Sequence, residues 1–182
     1  MRVRTRAPMI SMYPKFPMTQ ASPARKTPAV NGRSPAKRIE VRASGVHGKG
    51  VFAVAPLSKG EVVIEYKGEV ITWPEALRRH PHDPKDPNHT FYFHVDDKRV
   101  IDAKHGGNSA RWINHACKPN CEADEIDGRI FIKALRHIAP GDELFYDYGL
   151  ILDERYTPKV KKQFACHCGA RACRGTMLAP KR

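Results

Sequence analysis

Three cysteines within eight residues constrain this chain more than any other feature. Cys166-His167-Cys168-Gly169-Ala170-Arg171-Ala172-Cys173 crowds thiols that repel as thiolates unless protons or a cation neutralise them. Zn²⁺ does so, and takes a tetrahedron of sulfur or nitrogen ligands. Three sulfurs leave one corner to be filled by His167, by a distant residue or by water. The distant thiols are Cys117 and Cys121, and local spacing does not choose among these candidates. The competing reading is three free, reduced thiols. Five cysteines, an odd count, and no apolar h-region at the N-terminus argue against a disulfide framework. They point to an intracellular, reducing compartment, with nuclear targeting or secretion by a signal-less route left open.

The charge is unevenly spread. The chain of 182 residues carries 32 Lys+Arg against 19 Asp+Glu, a net +13. Residues 1–39 hold nine basic residues and no acidic one, which leaves +4 for the rest. This stretch also contains Pro8, Pro14, Pro17, Pro23, Pro28 and Pro35, with no apolar period linking them. Residues 1–38 are therefore expected to be a disordered basic tail. It could run along nucleic-acid phosphates or an acidic protein surface, or serve only as a solubilising leader. No run of 18 apolar residues exists, so no membrane helix is expected.

From Ile39 the texture changes to short β-branched runs: Ile39-Glu40-Val41, Val51-Phe52-Ala53-Val54, Glu61 to Tyr66, and Gly68 to Ile71. Pro74 to Arg79 reads as a short helix with Thr72 as its cap. Residues 80–90 read as a loop. Asp96-Asp97-Lys98 and Asp127-Gly128 each divide a hairpin, and Pro140-Gly141-Asp142 makes a turn. There is no repeat and no βαβ alternation. The body is expected to be mostly β, built from several small sheets.

Four segments taken in order carry a resemblance. They are Gly45-Val46-His47-Gly48-Lys49-Gly50-Val51-Phe52-Ala53; Glu65-Tyr66-Lys67-Gly68-Glu69; Asn108 through Asn114-His115-Ala116-Cys117 to Cys121; and Pro140-Gly141-Asp142-Glu143-Leu144-Phe145-Tyr146-Asp147-Tyr148, followed by the cysteine cluster and Arg174-Gly175. Together they resemble SET-domain protein lysine methyltransferases with a post-SET zinc module. The resemblance implies a SET domain over 39–155, a zinc-binding post-SET segment over 156–176 and a disordered C-terminus over 177–182. It also implies a C-terminal pseudoknot that sets Asn114-His115 beside Tyr148. Cys117, not Cys121, would join Cys166, Cys168 and Cys173 on a structural Zn²⁺.

The implied reaction is methyl transfer from S-adenosylmethionine to a lysine ε-amine. His47, Gly48, Lys49 and Gly50 resemble the cofactor-binding turn, where glycines permit close approach and a basic side chain meets a carboxylate. Asn114, His115 and His167 resemble cofactor contacts, with Arg111 bracing the loop. Phe91 occupies a position often held by tyrosine, and Tyr92 could serve instead. Tyr148 resembles the essential tyrosine, and Tyr146 the product-control position, where a hydroxyl favours mono- or dimethylation. Tyr66 and Tyr92 would line the lysine channel. Ala116 stands where the family usually has serine, one hydroxyl hydrogen bond fewer, worth about 1 kcal/mol. Trp73 and Trp112 read as core.

The implied substrate is a lysine in a basic, histone-like protein, taken as an extended peptide by a monomeric enzyme with no membrane attachment. Glu122, Asp124, Glu125 and Asp127 could attract such a peptide or form a solvated hairpin edge. The alternatives are a degenerate SET domain without turnover and a zinc and nucleic-acid-binding protein.

Overall fold

A computed structural model describes residues 37–80 and 90–181. The tail expected over 1–38 lies outside the described residues except at 37–38, as does most of the 80–90 loop. The chain runs β1 (Ile39–Ala43), β2 (Lys49–Ala53), β3 (Val62–Tyr66), β4 (Glu69–Thr72), α1 (Trp73–Arg79), β5 (Tyr92–His94) and β6 (Arg99–Asp102). After a 3₁₀ turn, Ser109–Trp112, come β7 (Asn114–His115), β8 (Cys121–Ile126), β9 (Arg129–Ala134), β10 (Phe145–Tyr146) and α2 (Pro158–Gln163).

Four small sheets result: β1-β2, β3-β9-β8, β4-β6-β5 and the parallel pair β7-β10. The mostly β body of small sheets is as expected. β9 shows why: Ile130, Ile132 and Ala134 are buried while Arg129, Phe131 and Lys133 are not, a period of two on a strand with one face to the core. Both expected hairpins form. Asp127 (φ 52°) and Gly128 (φ 75°) carry the left-handed pair that a tight β8-β9 turn demands. Val51, Leu57, Ile113, Ile132, Ile138 and Leu144 fill the centre, each at most 1% exposed. Among the described residues no helix is long and apolar enough to cross a membrane.

Two junctions place the site. β10 pairs with β7 in the register Phe145↔Asn114 and Tyr146↔His115. Asn120, buried in the β7-β8 loop, reinforces this join as a strand would. Its Nδ2 donates to the Glu143 carbonyl (2.8 Å) and its Oδ1 accepts the Phe145 N–H (2.8 Å).

Two local expectations are corrected and one helix is added. Thr72 precedes α1, but its side chain makes no capping bond. The helix α2 was not foreseen, although Thr157-Pro158 carries the signal: Thr157 Oγ1 accepts the Val160 N–H (3.2 Å) and proline opens the first turn. The C-terminus expected to be disordered over 177–182 is packed through 181. Leu178 is 1% exposed in a satellite core with Leu152, Val160 and Phe164, and it bridges to Leu150. Burying a leucine side chain contributes about 1.5–3 kcal/mol, enough to hold the segment down.

Candidate active site and metal centre

The sulfurs of Cys117, Cys166, Cys168 and Cys173 lie within 4.8 Å of one another. Cys117 Sγ is 3.7 Å from Cys166 Sγ and 3.9 Å from Cys173 Sγ. A tetrahedron of Zn–S bonds of about 2.3 Å has edges of about 3.8 Å, so the four thiols match a zinc tetrathiolate. The open corner belongs to Cys117. His167 stands outside the cluster with its side chain exposed. Cys121 is buried on β8, opposite Ala134, and burial pushes its thiol up to about 12.

Next to this centre opens a cavity of about 420 Å³, within the range of small-molecule sites. His47, Gly48 and Lys49 form one rim, Asn114, His115 and Tyr148 the floor, and Cys166 and His167 the far wall. Asn114 Nδ2 ties the rim in place by donating to the carbonyls of His47 (3.2 Å) and Lys49 (2.9 Å) and to Glu143 Oε1 (3.0 Å). Its amide nitrogen therefore holds the turn. Gly50 is buried and is not among the residues that line the cavity. A Cβ there would lie 2.1 Å from Glu143 Oε1, so the glycine lets that carboxylate pass beneath the turn.

Phe91 lines this cavity and Tyr92 does not. The Tyr92 hydroxyl donates to the Ala76 carbonyl of α1 (3.1 Å), and its ring packs with the cluster around Val100. Arg111 Nη1 donates to the Ala103 carbonyl (3.0 Å), while its buried Nε has no hydrogen-bond partner among the described residues.

A second cavity, about 80 Å³, is lined by Tyr66, Tyr92, Phe93, Tyr146 and Tyr148. Its rings form a chain: Tyr66–Phe93 centroids at 4.9 Å, Phe93–Tyr146 at 6.1 Å, Tyr146–Tyr148 at 4.9 Å. Tyr148, Arg111, Thr90 and Met177 line both cavities. The Tyr148 hydroxyl donates to the Ile113 carbonyl (2.9 Å) and that of Tyr66 to the Phe91 carbonyl (3.2 Å). Tyr146 makes no hydrogen bond from its hydroxyl to another described residue. Burial pushes all three phenols above their ordinary range, so each stays protonated.

His115 spans both features. Its Nδ1 accepts the Tyr148 N–H (3.0 Å), and its Nε2 stands 3.5 Å from Cys117 Sγ. Burial lowers the ring to about 4, against the opposing pull of Asp147. The imidazole is neutral at pH 7, with its proton on Nε2, because the backbone donor occupies Nδ1.

The family model for the SET domain matches residues 48–149, more than half of the chain. The chain belongs to the SET-domain family. Histone-lysine N-methyltransferase ATX2 of Arabidopsis thaliana is 40% identical over 148 residues, 78% of this chain and 13% of that protein. Trithorax of Drosophila melanogaster is 36% identical over 140 residues, covering 75% of this chain and 4% of its own length. Histone-lysine N-methyltransferase 2B of Homo sapiens is 37% identical over 140 residues, 75% and 5% respectively. The chain thus spans a small fraction of these relatives. A solved chain described as ctPRC2 in an autoinhibited conformation bound to S-adenosylmethionine superposes with a TM-score of 0.57 at 32% identity, covering 63% of this chain and 15% of that one.

The SET domain holds site residues that sequence reasoning missed. Trp112, read as core, lines the larger cavity with Lys49 Nζ 4.8 Å and the Arg111 guanidinium 4.9 Å from its ring centroid. Its signal was adjacency to Arg111 in the third motif. Phe93 had a signal too, two residues after Phe91 and so on the same side of an extended segment. Met177 had none, because it reaches both cavities from a segment expected to be disordered. In the acidic run, Asp124 pairs with Lys133 and Glu125 accepts the Gly128 N–H (2.6 Å), so half of the run serves the hairpin itself.

Proposed function

We propose that this SET domain transfers methyl groups from S-adenosylmethionine to a lysine ε-amine of a basic, histone-like protein, stopping at mono- or dimethylation. The observation that carries the reading is Tyr148 standing between the two cavities, with its hydroxyl pinned on Ile113. Relatives named histone-lysine N-methyltransferases and a neighbour described as bound to S-adenosylmethionine support it.

The larger cavity would hold the donor. His47, Gly48, Lys49, Arg111, Trp112, Asn114, His115 and His167 surround it, and the Lys49 ammonium suits a carboxylate. Bound donor supplies an electrophilic methyl on a sulfonium. The narrow ring-lined cavity excludes water from the amine and favours its neutral form, which has a free lone pair. With its proton engaged by Ile113, the Tyr148 oxygen turns a lone pair to the cavity, where it accepts an amine N–H and aims the nitrogen. Being protonated, Tyr148 is an orienting group and not a base.

The Tyr146 hydroxyl is free to hold a water where a further methyl would sit. Tyr146→Phe is expected to shift products toward trimethyllysine by mass spectrometry; an unchanged distribution refutes the role. We assign Zn²⁺ to the four thiols as a structural ion. The basic residues of 1–38 would contact nucleic acid or an acidic surface near the substrate, which suits an intracellular, nuclear protein acting as a monomer.

The whole reading is tested by calorimetry with S-adenosylmethionine and by radiolabelled methyl transfer to a mixture of basic proteins. Binding heat together with label on histones is expected. Absence of both returns the chain to a metal-binding role.

A further inference from the structure

We infer that Asp147 and Arg174 form a latch through which the four-thiol centre fixes the orientation of Tyr146 and Tyr148, so that Asp147 is a positioning residue for the tyrosine pair. The inference rests on reading the pocket as a methyl-transfer site.

Asp147 lies between the two tyrosines but lines neither cavity, whereas both rings line the smaller one. An extended segment sends alternate side chains to opposite faces, so the carboxylate points to the metal side. There the Arg174 guanidinium grips it with two bonds, Nη1 to Oδ2 at 2.6 Å and Nη2 to Oδ1 at 2.8 Å. Oδ1 also accepts the Gly149 N–H (3.0 Å), which fixes the exit of the segment.

Arg174 is bonded in sequence to Cys173, and its backbone N–H donates to Cys117 Sγ (3.4 Å). The residue that grips Asp147 is therefore held by one of the four sulfurs and follows a second cysteine of the cluster directly in the chain. His115 makes a parallel link, from Cys117 Sγ through its ring to the Tyr148 N–H. Two consecutive residues, 147 and 148, are thus each tied to the same centre.

Chemistry explains why a fork is used. A lysine ammonium would hold Asp147 as a point charge about which the carboxylate could turn, whereas a bidentate guanidinium fixes its plane as well. The chain keeps the fork although Arg174 Nε is buried without a hydrogen-bond partner among the described residues. In-line displacement tolerates little misplacement, and a shift of about 1 Å costs about 10²-fold in rate.

The test uses the full zinc-loaded chain and the variants Arg174→Lys, Asp147→Asn and Asp147→Asn/Arg174→Lys. Both single variants are expected to keep one zinc per chain and to bind donor as the parent does. Their kcat should fall about 10- to 100-fold with KM little changed, and the mono- to dimethyl ratio should shift. The double variant should be no worse than the poorer single, because one contact is removed twice. A readout without turnover is 3-fluorotyrosine labelling: the fluorine lines of residues 146 and 148, assigned with Tyr→Phe variants, should move or broaden in Asp147→Asn. The latch is overturned by unchanged kcat, product ratio and fluorine lines in zinc-loaded variants. It is equally overturned by additive losses in the double variant, or by joint loss of zinc and kcat in Arg174→Lys. Failure of the methyl-transfer reading itself would show differently, as a parent chain with no donor heat whose fluorine lines still move or broaden in Asp147→Asn.

Discussion

Tyr148→Phe is expected to lower methyl transfer by about 10²- to 10³-fold while donor binding stays close to that of the parent, the scale seen when one preorganised polar group is removed from a reacting centre. The reason lies in what the hydroxyl does. It donates to the Ile113 carbonyl at 2.9 Å, which fixes the direction of its lone pairs, and burial keeps it protonated. Phenylalanine keeps the ring contacts to Tyr146 and His115 at 4.9 and 5.4 Å, so the wall stands. What disappears is the acceptor that aims the amine, and the Ile113 carbonyl loses its donor. Initial rates with radiolabelled donor, set beside calorimetry, separate the two effects. A rate within a few fold of the parent would assign the aiming to another group.

Cys117→Ser is expected to release the zinc, and Cys121→Ser to retain it. Serine offers a hard, protonated oxygen in place of a thiolate, and three sulfurs hold the ion far less tightly than four. Zinc sites of this kind contribute about 10–16 kcal/mol of apparent binding energy, so their loss unfolds whatever they hold. Here that is the wall formed by Cys166, His167 and Met177. Elemental analysis should give one zinc per chain for the parent and Cys121→Ser, and almost none for Cys117→Ser, with donor affinity lost in parallel. Cys121 sits opposite Ala134 within a strand pair, and its substitution reaches no sulfur. Equal zinc loss in both variants would refute the assignment.

The sheets were largely legible because their signals are local. Alternation writes β9, and Asp127-Gly128 writes its turn. The cysteine cluster announced a metal centre, but its fourth ligand lies 49 residues from Cys166, and only the family resemblance pointed to Cys117. Other features escaped for physical reasons. Phe91 and Tyr92 are adjacent aromatics, and a one-residue change of register exchanges the faces they look onto. Trp112 read as core because a half-buried indole beside cations looks alike in a core and on a cavity wall. Gly50 reads as a glycine of the cofactor-binding turn, whereas its space is taken by Glu143, which is distant in sequence but bridges to the same strand at Phe52. The packing of Leu178 depends on a slot made by Leu152, Val160 and Phe164, and no single segment displays that slot.

The larger cavity is walled by His47 and its neighbours on one side and by Cys166 to Met177 on the other, stretches that lie far apart along the chain. A ribosome delivers the first of these long before the second. The nascent polypeptide therefore closes neither the larger cavity nor the four-thiol cluster until the segment through Met177 has emerged, after every strand of the four sheets has already been made.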